Sequence, residues 1–262
     1  MILECPLHDI RSKSLNFFGT DTEEMFQKNL NYIKMWDWKN TNIAYDINSL
    51  GYRSKELIHV MRQKYFVTFG CSHTVGVGLP LDTTYSNIIS NELGLNYFNA
   101  GVNGGSNELI LMNLYRFLML DNKPEFVIIQ WTYPTRKMYF LKNEMHVNLE
   151  SDPYKKTILP NSYSDYLDHY DDIPNYFDEI RNNAIALCKL ANVKLIEFKV
   201  EDVCGFERHS NIKSIKTDIG RSHNPFQHKV SKYKSDFFAR DLLHPGKLFN
   251  NEIVKHVKQC LT

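Results

Sequence analysis

The chain has 262 residues, of which 43% are hydrophobic and 23% are charged, so it is long enough to bury a sizeable core in one domain. Lysine and arginine number 31 against 30 aspartates and glutamates, and this near-neutral balance argues against nucleic acid or an anionic membrane as the main partner. No run approaches the ~18 apolar residues that a membrane span requires.

The N-terminus and the cysteines favour a reducing compartment. The first ten residues are interrupted by Glu4, Pro6 and Asp9, so they lack the apolar stretch of an export signal. The five cysteines are scattered and show neither a disulfide framework nor metal-ligand spacing. We therefore expect a cytoplasmic protein with free thiols and no cofactor. A place in a virus particle stays open.

The chain begins with a polar region that shows only weak periodicity. We interpret residues 1–60 as an N-terminal extension that packs on a core domain of residues 61–262. Within the extension, residues 20–38 have a helical pattern, with Thr20 or Asp21 as the expected N-cap.

From Lys64 onwards, apolar strands alternate with amphipathic helices. The predicted strands are 65–69, 96–98, 126–131 and 193–198, and the predicted helices are 83–93, 106–120, 174–192 and 245–261. This alternation predicts an α/β fold with a parallel sheet covered on both faces. Two polar stretches, at about 135–174 and 201–238, are expected to be irregular insertions.

Two short segments contain candidate catalytic residues. Ser72 directly follows the apolar strand that ends at Gly70, while Asp241 and His244 precede the last helix. Serine is a poor nucleophile until a base removes its proton, and the base needs a partner that orients it. Because ligands bind at the carboxyl ends of parallel strands, we expect these residues to meet in one crevice. The pattern predicts a serine esterase with Ser72 as nucleophile, His244 as base and Asp241 as its partner.

These residues resemble the SGNH (GDSL-type) hydrolase family over residues 61–262. The family's first block ends in Gly-Asp-Ser and is similar to 70–72; its second is a loop whose glycine donates a backbone N–H, with Gly104 at that place; its last is similar to 241–245. The resemblance implies a three-layer α/β/α sandwich with a mostly parallel, flavodoxin-like sheet. It also implies acyl transfer through an acyl-enzyme. Residues 47–53 resemble a stretch found in some relatives, many of them from microbes and phages.

The chain departs from the family pattern in two blocks. Cys71 replaces the aspartate that precedes the serine, and Pro134 falls where the third block has its oxyanion-hole asparagine. Proline has no N–H, and losing one oxyanion donor typically costs about 10²–10³ in rate. The expected oxyanion donors are the backbone amides of Ser72 and Gly104 together with the Asn107 side chain.

Substrate binding is expected from residues near the strand ends. The candidates are His73, Trp131, Thr132, Tyr133 and Arg136. Their aromatic members, with Tyr139, would line a platform for a sugar, although packing in the core or at the rim is an equal alternative. The expected partner is a small-molecule or glycan ester, an O-acetylated carbohydrate first of all. Neither nucleic acid nor a membrane is expected, and the oligomeric state stays open.

Other kinds of site have weaker support in the sequence. Cys71 beside His73 would allow a thiolate nucleophile, but neighbouring residues at a strand end face opposite sides, so we expect Cys71 in the core. The glycines match no phosphate-binding loop. No metal is expected, because no tight ligand motif is formed by His209, Asp218, His223, His228 and Asp236.

Two other functions remain open. One is an O-acyltransferase, in which a sugar hydroxyl takes the place of water as the acceptor. The other is a non-catalytic protein that binds glycan or serves in assembly. Pro134 in the third block and the two long polar insertions favour this second alternative.

Overall fold

A computed structural model describes the chain at residues 5, 10–33, 40–134, 136, 138–141, 144–147, 173–200, 212–215 and 237–262. The strands are β1 (Ser14–Leu15), β2 (Tyr45–Asp46), β3 (Tyr65–Gly70), β4 (Asn96–Gly101), β5 (Phe126–Trp131), β6 (Met138–Leu141), β7 (Glu144–Val147), β8 (Lys194–Val200) and β9 (Lys213–Ile215). The helices are α1 (Glu23–Ile33), α2 (Leu57–Val60), α3 (Ser72–Val75), α4 (Tyr85–Leu93), α5 (Asn107–Leu118), α6 (Ile173–Leu190) and α7 (Lys247–Leu261).

The central sheet has five parallel strands in the order β4-β3-β5-β8-β9. Numbered along the chain, this is the order 2-1-3-4-5 of the flavodoxin-like doubly wound sheets. Every residue of β3 is buried, as expected for a central parallel strand that is covered on both faces. The predicted α/β fold with a mostly parallel sheet is therefore confirmed.

Helices cover both faces of this sheet. At the end of β5, the Trp131 ring contacts Phe177 of α6, with ring centroids 5.3 Å apart. The preceding residue, Gln130, accepts a hydrogen bond from Thr74 of α3. Because successive strand residues point to opposite faces, α6 and α3 lie on opposite sides of the sheet. Helix α5 packs beside α6, and α4 packs beside α7. The result is a three-layer α/β/α sandwich, as predicted.

Much of the aromatic content of the chain lies in the core. The rings of Phe66 and Phe126 stack with centroids 4.9 Å apart, and Phe117 contacts both Phe69 and Phe98. All five side chains are buried. Burying an aromatic side chain of this size stabilises a fold by about 1.5–3 kcal/mol, so this cluster is a main source of stability.

Three local features differ from the sequence predictions. Strand β4 continues to Gly101, because it pairs with β3 along its whole length. The region predicted to be irregular after β5 contains an antiparallel pair, β6 with β7. Helix α3 was not predicted, because its single turn is too short to show a helical period.

The start of α1 also differs from the prediction. The Met25 N–H donates to the Thr22 hydroxyl at 3.1 Å, so Thr22 provides the side-chain cap. Thr20 and Asp21, the two expected caps, instead make contacts with residues near the C-terminus.

Among the described residues, no helix is long and apolar enough to cross a membrane.

Candidate active site

Ser72 lies where β3 ends and the chain turns into α3. The turn requires glycine at position 70, because a Cβ there would overlap the Thr74 hydroxyl on one side of the chain. Cys71 points into the interior, with its Sγ 4.0 Å from the Gln130 amide nitrogen. The Ser72 hydroxyl instead faces His244. The thiol and the hydroxyl therefore point to different surroundings, as the alternation of side chains predicts.

Asp241 and His244 belong to a turn that its own hydrogen bonds hold in place. Asp241 Oδ1 accepts the backbone N–H groups of Leu243 and His244, both at 3.1 Å. Leu242, which follows Asp241, has a φ of +58°, a left-handed conformation that is uncommon for a residue with a branched side chain. The Leu242 side chain is buried, and this packing stabilises the strained turn.

The three residues form a continuous line of hydrogen bonds. His244 Nε2 lies 2.7 Å from Ser72 Oγ, and His244 Nδ1 lies 2.6 Å from Asp241 Oδ2. Asp241 is fully buried, and Ser72 and His244 are 6% and 8% exposed. With an ionised Asp241 as acceptor, Nδ1 carries the imidazole proton and Nε2 is left to accept from the serine.

The pKa values of Asp241 and of the neighbouring His73 are both lowered. Burial alone would raise the pKa of Asp241, but the electrostatic interaction with His244 and the hydrogen bonds from His244, Thr20 and the Leu243 N–H bring it below its ordinary value. The neighbouring His73 ring lies edge-on to His244, with centroids 5.2 Å apart. Burial, together with the charges of His244 and Arg136, holds the pKa of His73 well below its ordinary value, so His73 is neutral.

The loop after β4 lies beside the nucleophile. The Val102 N–H donates to the Gly70 carbonyl oxygen at 3.0 Å, which joins this loop to the end of β3. Two residues later, Gly104 has a φ of +71°, a conformation that favours glycine. Asn107 connects this loop to the one after β5, because its amide accepts from the Thr132 N–H at 3.0 Å and donates to the Thr132 carbonyl at 3.1 Å. Its expected role as an oxyanion donor stays a prediction.

The loop after β5 presents a buried cation. Arg136 donates to the Thr132 hydroxyl at 2.8 Å, and its guanidinium lies 4.7 Å from the centroid of the Tyr133 ring. The Arg136 N–H donates to the Tyr133 carbonyl oxygen, so the chain turns after Tyr133 and the Arg136 side chain comes back beside Thr132. Arg136 is 6% exposed, and its charge lowers the pKa of His73. The loop thus brings Thr132, Tyr133 and Arg136 together, with Arg136 close enough to His73 to lower its pKa.

One expected substrate contact needs correction. Trp131 is fully buried, and its indole N–H donates to Glu197 on the neighbouring strand β8 at 2.8 Å. Its ring faces α6, where Phe177 covers it. The last residue of β5 therefore packs in the core instead of lining a sugar platform. The side chain of Tyr139, the other proposed member of that platform, lies outside the described residues.

Sequence analysis missed a residue that reaches Asp241 from the N-terminal region. The Thr20 hydroxyl donates to Asp241 Oδ2 at 2.6 Å and lies 3.4 Å from His244 Nδ1. Next to Thr20, Asp21 forms a buried ion pair with Arg240 at 2.6 Å. The only local signal was the polar character of Thr20 and Asp21 before a helix, which is equally typical of N-caps.

In the part of the chain that the structure describes, no group of three histidine, cysteine or acidic side chains is placed to hold a metal ion. The residues weighed as metal ligands in the sequence lie outside that part, from His209 to Asp236.

Solved structures with a similar fold are described as G-D-S-L or SGNH proteins and esterases, whereas no protein-family model and no curated protein matches the chain. One is a member of the lipolytic protein G-D-S-L family from Veillonella parvula, with 13% identity over 75% of this chain and 97% of that one, at a TM-score of 0.37. Another is an acetyl xylan esterase, with 12% identity over 76% of this chain and 100% of that one, at a TM-score of 0.42. At these values neither likeness extends to the chemistry of this chain, and the fold is assigned from the sheet order itself.

Proposed function

We propose that the chain is a serine esterase of the SGNH type, with Ser72 as nucleophile, His244 as general base and Asp241 as the group that orients His244. The observation that carries the proposal is the unbroken hydrogen-bond line from Ser72 Oγ through the imidazole to Asp241, with distances of 2.7 and 2.6 Å. Such a line activates a hydroxyl because the imidazole takes its proton, while the carboxylate orients the imidazole and stabilises its protonated form.

In the first half of the reaction, Ser72 Oγ attacks the ester carbonyl carbon while its proton moves to His244 Nε2. The C–O bond to the alcohol then breaks, and His244 gives the same proton to the leaving alkoxide. The acyl group remains on Ser72 as an ester. In the second half, His244 takes a proton from water, the hydroxide attacks the acyl carbon, and the carboxylic acid leaves as Ser72 Oγ recovers its proton.

The negative charge of the tetrahedral intermediate needs donors that are already in place. We propose the backbone N–H groups of Ser72 and Gly104, which belong to adjacent loops joined by the bond from Val102 to Gly70. Pro134 supplies no N–H in the loop after β5. The buried guanidinium of Arg136, held by Thr132, is the cation that this loop offers near the site instead.

For the substrate we propose an O-acetyl ester on a carbohydrate. The buried triad favours a small acyl group over a long chain, since Ser72 and His244 are each less than a tenth exposed. His73, Thr132, Tyr133 and Arg136 offer hydrogen-bond donors, an aromatic ring and a cation next to it, which suit a polar alcohol such as a sugar.

The test is release of acetate from p-nitrophenyl acetate and from acetylated glycans by purified protein, with Ser72→Ala as the control. We expect turnover of the activated ester by wild type and none above background by Ser72→Ala. Release from glycans supports the carbohydrate substrate, whereas turnover only of longer acyl esters contradicts it. Equal rates for wild type and Ser72→Ala would overturn the esterase proposal.

Pro134 is the observation that favours a non-catalytic glycan-binding protein. Binding of acetylated glycan by a folded wild type that releases no acetate from any ester would support this second candidate. An O-acyltransferase would instead transfer the acetyl group to an added sugar faster than to water, which product analysis distinguishes.

A further inference from the structure

We propose that Thr20 is a positioning residue of the active site, and that the contacts of Asp21 and Asn29 hold it in place. Its hydroxyl would hold the Asp241 carboxylate in the orientation that His244 needs. This inference rests on the proposed esterase function and adds a fourth member to the hydrogen-bond line.

The contact itself is short and specific. The Thr20 hydroxyl donates to Asp241 Oδ2 at 2.6 Å, and His244 Nδ1 lies 2.6 Å from the same oxygen. The other oxygen, Oδ1, is already occupied by two backbone N–H groups of the turn. Among the described residues, Thr20 and His244 are thus the two side chains that bind the Asp241 carboxylate, and both bind Oδ2.

Neighbouring contacts hold Thr20 at this place. Asp21 binds the Arg240 guanidinium through two bonds of 2.9 and 2.6 Å, which clamps the residue after Thr20 to the residue before Asp241. The side-chain amide of Asn29, in α1, donates to the Asp241 backbone carbonyl at 3.1 Å. These are charge-assisted or buried bonds, so they fix the segment better than exposed contacts would.

Apolar packing fixes the turn from the same side. Phe26 and Leu30 of α1 pack against a small cluster that contains Leu242, the residue with the left-handed backbone. A strained residue keeps its conformation only while its surroundings hold it there. Helix α1 thus supports the turn that carries both Asp241 and His244.

Two consequences follow from the position of the hydroxyl. Without it, Oδ2 accepts only from His244 Nδ1, so the imidazole is held less firmly in its orientation and kcat falls. A carboxylate that has lost a hydrogen bond also attracts the imidazolium more strongly, so a higher pH is needed to free the base. A merely structural role would change stability but would not move the pH profile.

The experiment compares Thr20→Val, which keeps the shape and removes the hydroxyl, with Thr20→Ser, which restores a hydroxyl. Thr22→Val is the matched control, because Thr22 is an exposed threonine two residues away that caps α1 and has no contact to Asp241. Kinetic constants for p-nitrophenyl acetate are measured across pH, and thermal unfolding is measured for each protein.

For Thr20→Val we expect kcat to fall about tenfold with KM unchanged, as for the loss of one hydrogen bond to a charged group, and the acid limb to move to higher pH. Thr20→Ser should recover most of kcat. Thr22→Val should lower thermal stability while keeping the wild-type pH profile. A Thr20→Val variant with wild-type kcat, or with a reduced kcat and an unmoved acid limb, overturns the proposal.

The outcome for the esterase proposal is read separately. Turnover by wild type that Ser72→Ala abolishes, together with an unaffected Thr20→Val, refutes the role of Thr20 alone. If wild type shows no turnover, the contact is tested by proton NMR of the His244 Nδ1–H. Thr20→Val should shift this resonance, and an unshifted resonance overturns the role of Thr20 whatever the enzyme does.

Discussion

Two regions of the chain bind the Asp241 carboxylate: the turn from Asp241 to His244, and the segment from Thr20 to Asn29. The contacts of the first are local in sequence, whereas that of the second is made across the fold. The turn makes its contacts within four residues, through Oδ1 to two backbone N–H groups and through Oδ2 to His244. The segment reaches the same carboxylate from 221 residues away along the chain. A catalytic pair can thus be encoded locally while its alignment depends on a distant part of the fold.

The largest effect is expected from breaking the turn. Asp241→Asn replaces an acceptor by an amide that can donate to His244 Nδ1, which favours the wrong tautomer. We expect kcat to fall on the order of 10⁴-fold. Asp46→Asn is the matched control, since Asp46 is exposed and its side chain accepts a hydrogen bond from the Ser14 hydroxyl, away from the site. An Asp241→Asn variant within tenfold of wild type would contradict the role given to the turn.

Removing the ion pair that holds the Thr20 segment to the core is expected to lower the free energy of unfolding. Asp21→Asn leaves the buried Arg240 guanidinium without its counter-charge, and removing one partner of a buried pair costs about 3–5 kcal/mol of unfolding free energy. Denaturant unfolding measures this loss. Glu252→Gln, which removes an exposed pair with Lys255, should cost about 1 kcal/mol or less. Equal losses for the two variants would show that the Asp21 pair does not hold the segment to the core.

The pH dependence of stability tests the environment of His73, whose ring contacts the His244 ring of the turn. The pKa of His73 is lowered well below 6.5, so the unfolded chain binds a proton that the folded chain does not. The stability that depends on neutral His73 is therefore fully present above about pH 6.5. It falls as the pH decreases below that value, by up to about 1.4 kcal/mol per pH unit. His73→Gln should flatten this slope between pH 6.5 and 5, which denaturant unfolding across this pH range measures. A slope that His73→Gln leaves unchanged would contradict the depressed pKa.

The smallest effect is expected from the residue next to the nucleophile. Cys71→Ser should leave kcat within about threefold of wild type, because the thiol faces Gln130 and only the Ser72 hydroxyl faces His244. Loss of activity in a variant that keeps its fold would favour the thiolate alternative.

Short-range patterns carried most of what could be predicted. The apolar run before Ser72, the capped helix after Gly104 and the Asp-x-x-His spacing each depend on neighbours along the chain, and these predictions match the geometry. For Trp131, the sequence left a sugar platform and packing in the core as equal alternatives, because an aromatic residue at a strand end has the same local pattern in both cases; the structure shows the second. The contacts that decide between the two are with Glu197 on the adjacent strand and Phe177 of α6, both far along the chain. Thr20 was missed for a related reason, since a threonine before a helix is a cap unless the fold brings it an anion.

The central claim is that His244 activates Ser72. The most direct measurement is covalent labelling by a fluorophosphonate, followed by peptide mass spectrometry, on wild type and on His244→Ala. We expect modification of Ser72 in wild type and none above background in His244→Ala. A folded wild type that takes no label, or a label at Ser72 that forms at the same rate without His244, would contradict it.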